Sequence, residues 1–253
     1  MTTTAPHTQT LPPSRSAREQ WARIAAFQLI AQLTIGAWFF GVALVLGAVA
    51  MTVLGARLQL SAAQAILSVA FWFPFGVSIS LTVTYLRVLV AAGVSRRSFV
   101  RGAFAATVGT ALAYALVGGA LLAVEGPIYA AFGWSGVHEP LEKGFGWTIA
   151  GLAAGFAMTS LSGVLVGATY LRFGALATLL LPLTVLAPFW IVSAGADGPR
   201  IGFFTVVRSG SILIEGTMRG AGPIGGLVVA LTFAAVAAAA WLTLRRVPLP
   251  TRP

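Results

Sequence analysis

The sequence predicts an all-α, polytopic membrane protein with six transmembrane helices. Three observations carry that expectation. Hydrophobic residues make up 58% of the 253 positions and charged residues 9%, mean hydropathy is +0.90, and several apolar runs exceed the roughly 18 residues that mark a spanning helix. A soluble chain of this size needs a mostly polar exterior, which 16 basic and 6 acidic side chains cannot supply. Lipid-exposed backbone must satisfy its own hydrogen bonds, and the alternation at about ten-residue spacing that barrel strands require is absent, so helices are expected.

From the N-terminus, residues 1–14 are rich in Thr and Pro and read as a disordered cytoplasmic tail. "MTTTAPHTQTLPPSR" lacks the apolar stretch of a cleaved signal, which leaves insertion to the first span. The segment 15–32 is expected to be an amphipathic interfacial helix. Ser16 and Glu19 stand at capping-box spacing, where hydroxyl and carboxylate each accept an otherwise unpaired backbone N–H. Trp21, Ile24, Phe27 and Ile30 recur every three residues, while Arg18, Arg23, Gln28 and Gln32 lie elsewhere. That pattern fits a helix lying in the membrane interface, or a helical extension of the first span dipping into the headgroups.

Six spans follow, at about 33–54, 66–90, 103–124, 147–170, 175–194 and 223–244. At about 1.5 Å per residue each can cross a hydrocarbon core of roughly 30 Å. In the fourth, Gly151, Gly155, Thr159, Gly163 and Gly167 recur every four residues. Small residues so spaced form a helix-packing face, within the bundle or between protomers, on which a second backbone can approach closely. "TYLR" occurs twice, at 84–87 and 169–172, each time at the end of a span expected to run inward; Tyr belongs in the interfacial belt and Arg on the cytoplasmic side. The connection 195–222 is long and only partly polar, and is expected to hold an outer re-entrant or interfacial element with Arg208 and Glu215 two helical turns apart on one face. Residues 245–253 form a second cytoplasmic tail.

The net charge of +10 is topogenic and does not point to nucleic acid. With six spans and the N-terminus inside, one side carries eleven basic residues against the single acid Glu19, and the other carries five against the remaining five acids. This positive-inside bias places both termini in the cytoplasm of a cell-membrane protein, facing anionic lipid and a cytoplasmic partner.

Inventory excludes some chemistries and disfavours others, among them the second alternative, a secondary transporter. The only lysine, Lys143, stands between Glu142 and Gly144, so there is no P-loop. The spans hold no Asp, Glu or His away from their ends, which disfavours an ion-coupled secondary transporter, with Glu125 at an outer boundary. Ser160 and Ser162 have no histidine on a facing helix for an intramembrane protease. There is no cysteine, and His138, Glu139 and Glu142 in a loop broken by Pro140 make a poor metal site. No enzyme active site, cofactor site or metal site is expected on this chain.

"VLVAAGVSRRSFVRG" stands apart, with three arginines between two apolar runs. On one reading Arg96, Arg97 and Arg101 are stop signals that fix topology and bind phospholipid headgroups. Around them, Gly93 can end one helix, Ser95 can cap a short new one, and Val94 and Phe99 present apolar side chains, which together make a short amphipathic docking helix.

The chain here resembles the permease subunits of ABC-2-type ATP-binding-cassette exporters. "SAREQWARIAAFQLIAQ" corresponds to that family's amphipathic helix, "LRVLVAAGVSRRSFVRG" to its coupling loop between spans two and three, and 195–222 to its outer re-entrant element. The resemblance implies two permeases, as a homodimer or a pair, with two ATPase subunits that hold ATP and Mg. Loop residues Gly93, Val94, Ser95, Arg96, Arg97, Phe99 and Arg101 would carry ATPase motion into the bundle. The cargo is expected to be hydrophobic or amphipathic, as in multidrug or lipid export. The competing class is a non-transporting membrane scaffold, immunity protein or sensor.

Overall fold

The computed structural model describes residues 17–54, 61–133, 145–186 and 223–247. The tail 1–14, Ser16, the His138 loop, the element 195–222 with Arg208 and Glu215, and the tail beyond 247 lie outside the described residues.

Helix α1 runs unbroken over Ala17–Leu54, 38 residues or about 57 Å. The interfacial segment and the first span are therefore one element, without a boundary near 32. The cause is local: there is no proline in this stretch and no glycine before Gly36, so nothing interrupts the hydrogen-bond ladder. Its buried stripe also differs from the expected one. Ile24, Gln28, Gln32, Gly36 and Phe40, four apart, face the bundle, whereas Phe27 and Ile30 are exposed.

The second span is two helices, α2 (Ala62–Ala70) and α3 (Trp72–Ala91), joined at Phe71. Pro74 in the first turn of α3 has no N–H to return to the Ala70 carbonyl, which accounts for the break. Helix α4 spans Arg96–Phe132, 37 residues, and ends at Gly133 in the left-handed region (φ 65). Helix α5 covers Phe145–Phe173 and passes at Gly174 (φ 59) into a 3₁₀ segment, Gly174–Leu180, and a π turn, Pro182–Leu186. Helix α6 is Pro223–Arg245. The described residues contain no strand. Four stretches, 19–53, 62–91, 96–132 and 148–180, are long and apolar enough to cross a membrane. This is the architecture of a helical membrane protein.

Helix α5 is the hub. Its most apolar stretch is 67% buried, against 11% for that of α1, and α3, α4 and α6 pack along it. Exposed apolar side chains such as Trp38, Val45 and Val53 on α1 meet hydrocarbon, so their exposure is no defect. The small-residue face of α5 meets α3. A Cβ added at Gly155 would come within 2.5 Å of the Phe71 ring, one at Gly167 within 2.8 Å of Thr82 Cβ, and one at Gly163 would strike the Phe75 carbonyl. Thr159 is fully buried and donates to its own helix at Phe156 O (3.0 Å), while Gly151 opens on free space. Because α3 and α5 run parallel in this register, the two "TYLR" segments fall at the same level.

Candidate functional site

The turn between α3 and α4 is a fully hydrogen-bonded elbow. Helix α3 ends with Gly93 at φ 88, Gly93 N–H bonded to Val90 O (3.0 Å) and Val94 N–H to Leu89 O (2.9 Å). This is a Schellman arrangement, in which a left-handed residue closes the last carbonyls of a helix and glycine alone adopts it without strain. Two residues later Ser95, in extended backbone, accepts the Ser98 N–H at its Oγ (3.1 Å) and so caps α4.

The elbow sorts its side chains. Phe99 and Val100 are wholly buried in a core with Ile24, Leu86, Leu161 and Leu171, and Val94 packs against that core. Arg97 and Arg101 are exposed. Arg96 is half-buried and donates from Nη1 to Arg245 O (3.0 Å), a cation set on the C-terminal carbonyls of α6. The expected short docking helix is absent as a separate element: the helix that begins at Arg96 continues for 37 residues, through Gly102, Gly109 and the Gly118–Gly119 pair, and its one proline, Pro127, comes near its far end. Phe99 accordingly faces the core and not the partner-accessible surface.

Arg23, Arg87, Arg172, Arg245 and Arg246 lie at the same end of the bundle, and Glu19 is the one acid described there. Arg245 stacks on Trp241 (5.5 Å) and Arg172 on Phe173 (4.9 Å). Such a one-sign array produces a positive potential that draws anionic partners. Among interfacial-helix residues, Ile24 is buried, Trp21 is half-buried, and Glu19, Arg23 and Phe27 are exposed.

The opposite end holds a buried polar clamp built on Glu125, which in sequence stands at an outer span boundary. Glu125 on α4 is 6% exposed. It accepts Ser61 Oγ (2.5 Å) and Ala63 N–H (3.0 Å), while Tyr129, one turn on, accepts Ala62 N–H (3.1 Å). The carboxylate therefore sits on the N-terminus of α2, where free N–H groups and the helix dipole favour a negative charge. A signal for it was present: Ser61 and Gln64 stand at capping-box spacing, and Ser61 Oγ does accept Gln64 N–H (3.1 Å). Beside the clamp, Met51 and Ser61 close one end of a lateral apolar groove of about 760 Å³ between α1 and α2–α3, walled by Trp38, Val42, Leu46 and Phe73.

No group of three potential metal ligands is present among the described residues. The chain matches no family model, no curated protein and no solved structure.

Proposed function

We propose that this chain is the membrane-spanning permease subunit of an ATP-binding-cassette exporter. It pairs with a second permease and two separate ATPase subunits in the cell membrane, both termini cytoplasmic, and moves a hydrophobic or amphipathic cargo outward. The observation that carries the reading is the elbow. Its hydrogen-bonded turn exposes Arg97 and Arg101 while the adjoining Phe99 and Val100 are anchored in the core. Force applied to those guanidiniums reaches α3 and α4 together, because the turn joining them has little slack.

Planar guanidiniums suit carboxylates on a partner, and the positive end of this bundle suits an acidic docking face. ATP and Mg belong to the partner, since the chain has no P-loop. Nucleotide must favour two arrangements of the bundle unequally for transport to follow. The apolar lateral groove supports a cargo that arrives from the lipid phase.

The test is purification with its ATPase. Co-isolation with a P-loop ATPase whose turnover the chain changes is the expected result, and Arg97→Glu/Arg101→Glu should lower that stimulation tenfold or more while the protein still inserts. Undiminished stimulation and export by that variant would remove the coupling role. A stable complex lacking any ATPase would instead favour a scaffold.

A further inference from the structure

A polar atom buried in a bundle without a partner costs on the order of 1–3 kcal/mol, so native structures hold few of them. Four buried side-chain oxygens of this bundle have no protein partner and fall on neighbouring turns: Gln32 Oε1 on α1, Thr107 Oγ1 and Thr110 Oγ1 on α4, and Ser160 Oγ on α5. Their residues are 2%, 5%, 0% and 0% exposed. Ser78 and Ser162 share that status on other faces, Ser78 against Gly163 and Ser162 about 200° round α5 from Ser160.

Contacts on the neighbouring turns bring the four together. Tyr114 and Phe156 meet edge to face between α4 and α5, ring centroids 5.5 Å apart. One turn from each, toward the arginine end, stand Thr110 and Ser160 on the same stripes of their helices, with Thr107 a turn further along α4. Helix α1 joins at that level. The Tyr114 hydroxyl donates to Gln32 O (2.7 Å), and Gln32 lies on the buried stripe of α1 beside Gln28. Gly102 against Ile24 and Gly109 against Leu29 hold α1 and α4 in this register.

The geometry points to a polar cell at the α1–α4–α5 seam that holds water and accepts neutral hydrogen-bonding groups. The amide oxygen asks for a donor, and the three hydroxyls can both give and accept, which is the complement of water making about three hydrogen bonds. No titratable side chain but the Tyr114 phenol lies at this level of the three stripes. The nearest charge on α4 is Arg101, exposed and six residues before Thr107, about 9 Å along the axis. An ion in the cell would lack a countercharge, so neutral groups are selected. Under the permease reading, on which this last step rests, the hydroxyl or amide head of an amphipathic cargo replaces the water.

The chain contains no cysteine, so single cysteines report without background. Thr107→Cys, Thr110→Cys and Ser160→Cys are compared with Val108→Cys in lipid nanodiscs, using a small hydrophilic methanethiosulfonate. Val108 is 57% exposed toward lipid and lies within about 1.5 Å of Thr107 in depth, so only direction differs. Thiols react as thiolates, which form only where water reaches. The cell variants should label at least tenfold faster than Val108→Cys; equal rates overturn the cell. Adding Thr107→Val and Thr110→Val to Ser160→Cys should slow its labelling fivefold or more, and an unchanged rate removes those oxygens from any role in holding water. These rates need no ATPase. A change on adding ATP-loaded ATPase tests the permease reading, so the two ideas fail separately.

Discussion

Two serines begin two helices at opposite ends of this bundle, and their surroundings diverge. Ser95 opens α4 at the arginine end, and Ser61 opens α2 at the Glu125 end. Each accepts a backbone N–H three residues on, at 3.1 Å. Beyond the cap, Ser61 hands its own proton to a buried carboxylate that also takes Ala63 N–H, whereas Ser95 passes its proton to Ser98 Oγ (2.8 Å) and leaves Arg97 and Arg101 exposed. One end uses its charge to hold helices together, and the other keeps its charge available. The same capping chemistry thus serves closure in one place and presentation in the other.

This contrast can be broken by measurement, most severely at the clamp. Glu125→Ala leaves Ser61 Oγ and Ala63 N–H without their acceptor in a buried site and should lower stability by about 3 kcal/mol, read as thermal unfolding in detergent. A loss under about 1 kcal/mol would mean that the clamp is hydrated and the two ends are alike. Next comes Gly93→Val, which forces a β-branched residue to positive φ and should cost about 1–2 kcal/mol. Ser95→Ala removes the cap together with the hydroxyl bond to Ser98 and should cost about 1 kcal/mol, with Ser95→Asp restoring the cap. Smallest is Arg97→Glu/Arg101→Glu, expected within about 0.5 kcal/mol of the parent protein. The functional order should run the other way, with the arginine pair abolishing partner stimulation. If that pair unfolds the protein as Glu125→Ala does, its arginines are structural and the contrast is gone.

Sequence signals that act through local chemistry are the ones the fold obeys at this elbow and along α5. Gly93 and Ser95 are punctuation that acts within a few residues, so the elbow falls where they stand, and the glycine spacing of the fourth span meets α3 at Gly155, Gly163 and Gly167. Direction around a helix was less legible. Gln28 and Gln32 look like the polar face of α1, yet both are buried, since in lipid the polar side of a helix turns inward toward other helices. Glu125 read as a boundary residue because its partners, Ser61 and Ala63, are more than sixty positions away. Phe99 sits among cations in sequence and in the core in space, since a new turn of helix rotates each successive side chain by about 100°.

The glycine contact between α3 and α5 has a mechanical meaning. The two helices lie parallel and near backbone to backbone, each carrying the same Thr-Tyr-Leu-Arg words in its last two turns. Arg87 and Arg172 are then a matched pair of anchors in the water layer. Sliding the pair away from the arginine end along the membrane normal would drag both guanidiniums toward hydrocarbon, at roughly 2.5–3.5 kcal/mol apiece for full burial, and the close approach at Gly163 leaves no room for a Cβ beside the Phe75 carbonyl. Piston motion in that direction is thereby opposed. Tilt about the line joining the two anchors keeps both guanidiniums in place and so escapes that cost.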